Sequence, residues 1–162
     1  MKKLNRKGSI VDVLFIVVMM FVLALVFLLA TSMYTNINNS LQSSDTISDN
    51  SKTILSNFNT KFPKVLDNAF VFILAGLILA VLIGGFLIRD HPAFFFVAMF
   101  MLIFFVALSA IFANVYHDVA NSEAFSASAA NYPKMQHIMN NFPVYAAVFG
   151  GLIIIILYAK PT

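Results

Sequence analysis

Leu66–Ile88 reads LDNAFVFILAGLILAVLIGGFLI, Arg89–Pro92 reads RDHP, and Ala93–Tyr116 reads AFFFVAMFMLIFFVALSAIFANVY. Two apolar runs are thus separated by four residues. Each run supplies the roughly 20 apolar residues that a helix needs to cross about 30 Å of hydrocarbon. A four-residue connection leaves them no choice but to lie antiparallel. The stretch reads as a tight hairpin of two membrane-spanning helices, with Asp90 as an N-cap and Pro92 in the first turn of the second helix.

Composition carries the same reading to the whole chain. The 162 residues are 60% hydrophobic and 10% charged. A soluble domain carries about 25% charged residues, so this chain has too few to cover its surface in water. The expected class is an all-α integral membrane protein in one domain, residues 1–162, with four transmembrane helices. The other two spans are 10–32 and 144–159. The first exceeds a signal-peptide core of about 7–15 residues, which reads as a retained helix. Ser9 and Asp12 have capping-box spacing at its start.

Lys7-Gly8-Ser9, followed by Asp12 and an apolar helix, resembles the class III leader of type IV pilins and archaellins. In that family a peptidase cuts after the glycine, and an acid near the fifth mature position guides assembly. Here the acid falls at the fourth, and three further spans follow the first. The retained-helix reading is the one adopted.

Two polar stretches, 33–65 and 117–142, form the outer loops, each expected to hold a short amphipathic helix. Met33, Ile37 and Leu41 recur every four residues and carry the first helix beyond the membrane. Ile54, Leu55, Phe58 and Phe62 mark one face of a helix within 51–62, capped by Asn50 or Ser51. Such faces can lie on the bilayer, pack on one another or bind a partner. Met135, Ile138, Met139 and Phe142 mark another within 133–142, begun by Pro133, and Asn141 reads as the cap of the last span. Asn38-Asn39-Ser40 matches a glycosylation acceptor.

Small residues at spacing four let helix backbones approach closely in lipid. Gly76, Ala80 and Gly84 form such a notch in the second span. Ala146 with Gly150, and Ala147 with Gly151, form two more in the fourth, which makes these two spans natural partners. In the third span Ala107, Ala110 and Asn114 read as the face that meets other helices, with the phenylalanines turned to lipid or a neighbouring subunit.

Lys2, Lys3, Arg6, Lys7, Arg89 and Lys160 gather on one side in short segments. By the positive-inside rule the termini and the hairpin turn are cytoplasmic, and these residues are topology and lipid-headgroup contacts. Tyr34, Tyr116 and Tyr145 fall at the outer boundary and Tyr158 at the inner one, as aromatic belts do. A net charge of +3 concentrated at one terminus does not argue for nucleic acid.

The chemistry expected is sparse. With no cysteine, disulfides, thiolate metal sites and thiol catalysis are excluded. No span carries a charge near its centre, whereas transporters and proton pumps place ionisable groups there. His117, Asp118, Glu123 and His137 are the best metal-binding constellation, but their spacing matches no zinc pattern. No cofactor, metal or catalytic residue is assigned. The expected function is a non-enzymatic structural or assembly subunit that binds lipid and either itself or other subunits. Accessory subunits of secretion, pilus or respiratory assemblies fit, as does a membrane protein of a lipid-containing virion. The alternative is a holin-like membrane-permeabilising protein, being small, hydrophobic and basic at one end. A water-filled hole, however, needs a polar helix face that these spans lack.

Overall fold

The structure, a computed structural model, describes the backbone of residues 10–87 and 95–158 and the side chains of 14–83 and 95–156. Over these residues the protein is helical: α1 Ile10–Gln42, α2 Asp49–Leu87, α3 Phe95–Ala120, α4 Ser126–Ala129, α5 Pro133–Asn140 and α6 Phe142–Tyr158. A chain that crosses lipid would be built this way. With no water to satisfy peptide groups, a spanning chain must satisfy each one internally, and a helix does so within one segment.

Helices α1, α2 and α3 are each long and apolar enough to cross a membrane. Helices α5 and α6 qualify as a fourth span only together, bent by 69° at their junction. Alone, the 17 residues of α6 rise about 26 Å, short of the hydrocarbon thickness. The spans are apolar all round, so burial is set by which face meets a neighbour. On α1 the buried positions Val17, Met20, Ala24, Leu28 and Thr31 recur at spacings of three and four. Phe15, Val18, Val22, Val26 and Leu29 on the opposite side are equally apolar and exposed, as a lipid-facing surface requires.

The stretch 33–65 is a rigid helical hairpin instead of a loop with a separate short helix. α1 runs on to Gln42, and α2 starts at Asp49 and continues unbroken into the second span. The N-cap of α2 is Ser48, two residues before Asn50 and three before Ser51. Its Oγ accepts from the Ser51 amide at 3.3 Å, and its carbonyl accepts from Lys52. Pro63 sits inside α2. It removes one helical hydrogen bond and costs about 3 kcal/mol in an isolated helix. Packing against α1 offsets this: Tyr34 Oη donates to Leu55 O, Thr35 Oγ1 to Asn59 Oδ1, and Gln42 Nε2 to Lys52 O at 2.8 Å. Asn38 is buried in this seam and accepts from Gln42, which removes it from reach as a glycosylation acceptor.

The chain between α3 and α6 fills one end of the bundle. Ala129, Tyr132, Met135, Ile138, Met139 and Phe142 are buried in one core with Leu28, Phe70, Ala113 and Tyr116. Asn141 ends α5 instead of capping α6: its Nδ2 donates back to His137 O at 2.8 Å. Its carbonyl takes the first amides of α6, from Val144 and Tyr145. On α3 the buried face is Ala98, Phe105, Ser109, Ala113, Tyr116 and Ala120. Ala107 and Asn114 are exposed and Ala110 half-buried, so the contact stripe lies beside the expected one. Phe96, Phe100 and Phe104 face outward, but Phe105 is buried and Phe112 stacks on Phe21 of α1 at 4.4 Å.

The small-residue notches do not meet as expected. Gly76 and Ala80 are exposed, and among the described residues nothing lies within 4 Å of a Cβ added at Gly76. The surroundings of Gly84 lie outside the described residues. Ala146 is buried facing α1 and α2, Ala147 is exposed, and Gly151 has nothing within 4 Å of an added Cβ. Gly150 is the close approach, and its neighbour is Leu102 of α3. A Cβ at Gly150 would overlap Leu102 Cδ1. That atom is the far end of a flexible side chain, so Gly150→Ala is accommodated by a small shift of Leu102, whereas Gly150→Leu is expected to cost about 1–3 kcal/mol through overpacking, and Leu102→Ala in the same chain to recover most of it. Thermal unfolding in detergent micelles reads both; an additive double mutant would show that the contact is not formed.

Candidate functional site

Five polar residues are buried among the described residues: Thr31, Asn38, Asp67, Ser109 and Ser128. Tyr116 and Tyr132 add two phenolic hydroxyls whose rings are fully buried. Four of these side chains, Thr31, Asp67, Tyr116 and Tyr132, gather at the α5 end of the bundle.

Asp67 lies at the start of the apolar part of α2, where it reads from sequence as an edge residue. The structure buries it and gives it a definite task. Pro133 opens α5 and has no amide hydrogen, so the first free donors of that helix belong to Lys134 and Met135. Both donate to Asp67, Lys134 N to Oδ2 at 3.2 Å and Met135 N to Oδ1 at 2.8 Å. The residue preceding α5, Tyr132, makes no side-chain cap of its own. Asp67 therefore caps α5 from another helix, a negative charge at the positive end of the helix dipole. Beside it, Lys134 Nζ donates to Asn68 Oδ1, which keeps the ammonium at the surface.

Tyr132 ties the same segment to α1. Its Oη donates to Phe27 O at 3.3 Å and accepts from Thr31 Oγ1. Burial holds the Tyr132 phenol above the usual tyrosine range, reinforced by the Asp67 charge and opposed by the Thr31 hydrogen bond. Tyr116 Oη is the exception: it is buried without a hydrogen-bond partner. Desolvation of a lone hydroxyl is unfavourable by about 1–3 kcal/mol, and the rest of the ring's packing must outweigh it.

The outer-loop residues do not converge. His117, Asp118, Glu123 and His137 are all exposed, and no three of the described His, Asp and Glu residues stand close enough to hold a metal ion. Lys2, Lys3, Arg6, Lys7, Arg89 and Lys160 lie outside the described residues, as do Asp90, His91 and the Ser9–Asp12 capping box. A small crevice between α1, α2 and α6 is lined wholly by apolar and aromatic side chains, including Ile16, Leu74, Ile78 and Phe149. Among the described residues the polar cluster therefore joins segments of the chain. Asp67 carried one usable signal in the sequence: it is a lone carboxylate, beside Asn68, at the edge of an apolar run. The chain matches no protein family, no characterised protein and no solved structure with which it was compared.

Asp67→Ala leaves two amides of α5 without an acceptor and is expected to cost about 1–3 kcal/mol, with faster amide exchange at Lys134 and Met135. Asp67→Asn keeps an acceptor but loses the charge, and should fall between. Tyr132→Phe should cost about 1 kcal/mol, whereas Tyr116→Phe, which removes an unpaired hydroxyl, should be neutral or stabilising. Because the folded phenol of Tyr132 sits above its unfolded value of 10.0, its contribution is complete below that pH and is lost as pH rises through the folded value. Tyr132→Phe should therefore flatten the alkaline arm of the stability profile, and an unchanged arm would remove Tyr132 as its cause.

Proposed function

We propose that this chain is a non-enzymatic structural or assembly subunit of a larger membrane complex. The observation that carries the reading is the open notch at Gly76 and Ala80. In lipid, where apolar burial drives no association between helices, a small-residue notch contributes by letting another backbone come close. Here that notch is open among the described residues and stands between the exposed Phe72 and Ile83. Such a surface suits a helix from another subunit. The buried polar groups support the reading as well, because each tie they make holds one part of the chain to another. The termini are proposed to be cytoplasmic, from the charge bias of the short segments.

Gentle extraction followed by native mass spectrometry tests this. The expected result is a particle heavier than the 17.9 kDa chain. Gly76→Leu with Ala80→Leu should release the chain from it without lowering thermal stability in micelles, since both positions are open among the described residues. A particle of one chain in lipid, or one unaffected by the double substitution, would sink the reading.

A further inference from the structure

The helical hairpin leaves one flank uncovered. Met33 and Ile37 of α1, and Ile54, Phe58 and Val65 of α2, are 46–62% exposed. They share one flank because the two antiparallel helices are registered by Tyr34, which contacts the rings of Phe58 and Phe62 at 4.9 and 6.2 Å. On a helical wheel, Met33 and Ile37 follow Tyr34 on the same side of the seam as Ile54, Phe58 and Val65. The opposite flank is covered: Ser32 Oγ donates to Ala124 O in the connection before α4.

Helix geometry carries this flank from Val65, at the lipid boundary, outward to Phe58 and Ile54. α2 has 39 residues in one helix, about 58 Å long, against about 30 Å of hydrocarbon. If Val65–Leu87 fills the membrane, Asp49–Lys64 rises about 24 Å beyond it, past the 5–8 Å of headgroups on that side. An unbroken rod cannot fold down onto the bilayer. Ile54 and Phe58 are then apolar residues held in water, a position that calls for a protein partner.

Charge selects the kind of partner. Lys61 and Lys64 border the flank, and no acidic residue occurs from Lys52 to Leu66 or from Thr31 to Ser44. A second copy in the same membrane, related by an axis along the membrane normal, would set Lys61 against Lys61 at the same height. An acidic partner meets the lysines with opposite charge.

We propose that this flank of the α1–α2 hairpin is a docking surface for an acidic amphipathic helix of another protein, whose apolar stripe covers Met33, Ile37, Ile54 and Phe58 while its carboxylates meet Lys61 and Lys64. The proposal rests on the subunit reading and names the surface through which the subunit engages its complex. Binding of this kind sets apolar anchors in a groove and uses flanking charge for specificity.

The test uses the full chain in nanodiscs of zwitterionic lipid and two fluorescent synthetic helical peptides. Both carry a leucine stripe; one is flanked by glutamates and the other by lysines. The glutamate peptide is expected to bind at least tenfold more tightly by anisotropy. Ile37→Ser with Ile54→Ser, both at exposed positions, should weaken it at least tenfold, and Lys61→Glu should reverse the preference. Equal affinity for the two peptides, or binding unaffected by the double substitution, overturns the proposal. The chain has no cysteine, so Ile54→Cys provides a unique handle. Ready disulfide formation between copies in the native membrane would assign the flank to self-association, and protection of that thiol by anionic vesicles would assign it to lipid; either overturns the proposal. If the native particle is large while peptide binding fails, the subunit reading stands and this surface falls. A single-chain native particle with intact peptide binding gives the converse.

Discussion

Asp67 is the residue on which the α5 end of the bundle depends. A carboxylate taken out of water is costly unless its lone pairs are used. Here both oxygens accept amides from the first turn of α5. The bargain is mutual, since those amides would otherwise be buried without acceptors. Once α5 is anchored, Met135, Ile138 and Met139 are turned into the core, and the 69° bend at Asn141 directs α6 back along α3. Tyr132, one residue before α5, makes the second anchor through Thr31 and Phe27 on α1. Two polar ties thus convert a segment rich in Ala, Ser and Asn into a plug that closes three long helices.

Packing between the spans obeys different physics from packing in water. Lipid tails are as apolar as leucine, so burying Leu against Leu gains little, and close contact with well-filled volume decides which faces meet. Gly150 against Leu102, and Phe21 stacked on Phe112, are contacts of this type. By the same logic exposed phenylalanines on α3 would need no partner in a membrane, whereas apolar side chains held beyond it, as proposed for Ile54 and Phe58, would. Exposure has opposite meanings on the two sides of the headgroup layer.

This difference also explains what could be read from the sequence. The spans were legible because hydrocarbon thickness imposes a length and a composition that few other structures share. The extension of α1 was legible in the four-residue recurrence of Met33, Ile37 and Leu41. Continuity of α2 through Pro63 was not, because it depends on side-chain bonds to α1 that local propensity does not encode. The packing notches were legible as places where a backbone can come close, but a spacing of four does not say to which helix. Thus Gly150 found a leucine on α3, and Gly76 found nothing among the described residues. Asp67 was visible as a carboxylate at the edge of an apolar run, yet its partners lie 67 and 68 positions away, beyond any periodicity. The proposed docking flank needed both levels: the apolar spacing marked it, and the helical hairpin left Met33, Ile37, Ile54 and Phe58 exposed.

Among the described residues the stabilising interactions are unevenly distributed along the bundle. The end at α5 has the carboxylate cap, the Tyr132–Thr31 pair and the hairpin seam from Tyr34 to Gln42. Deeper along the spans the contacts are apolar, such as Phe105 with Ile153. Hydrogen bonds with buried partners are directional and lose most of their value when displaced by an ångström, whereas apolar contacts in lipid tolerate sliding. The α5 end is therefore the part of the molecule that holds one geometry, and the helices below it can adjust to a neighbour.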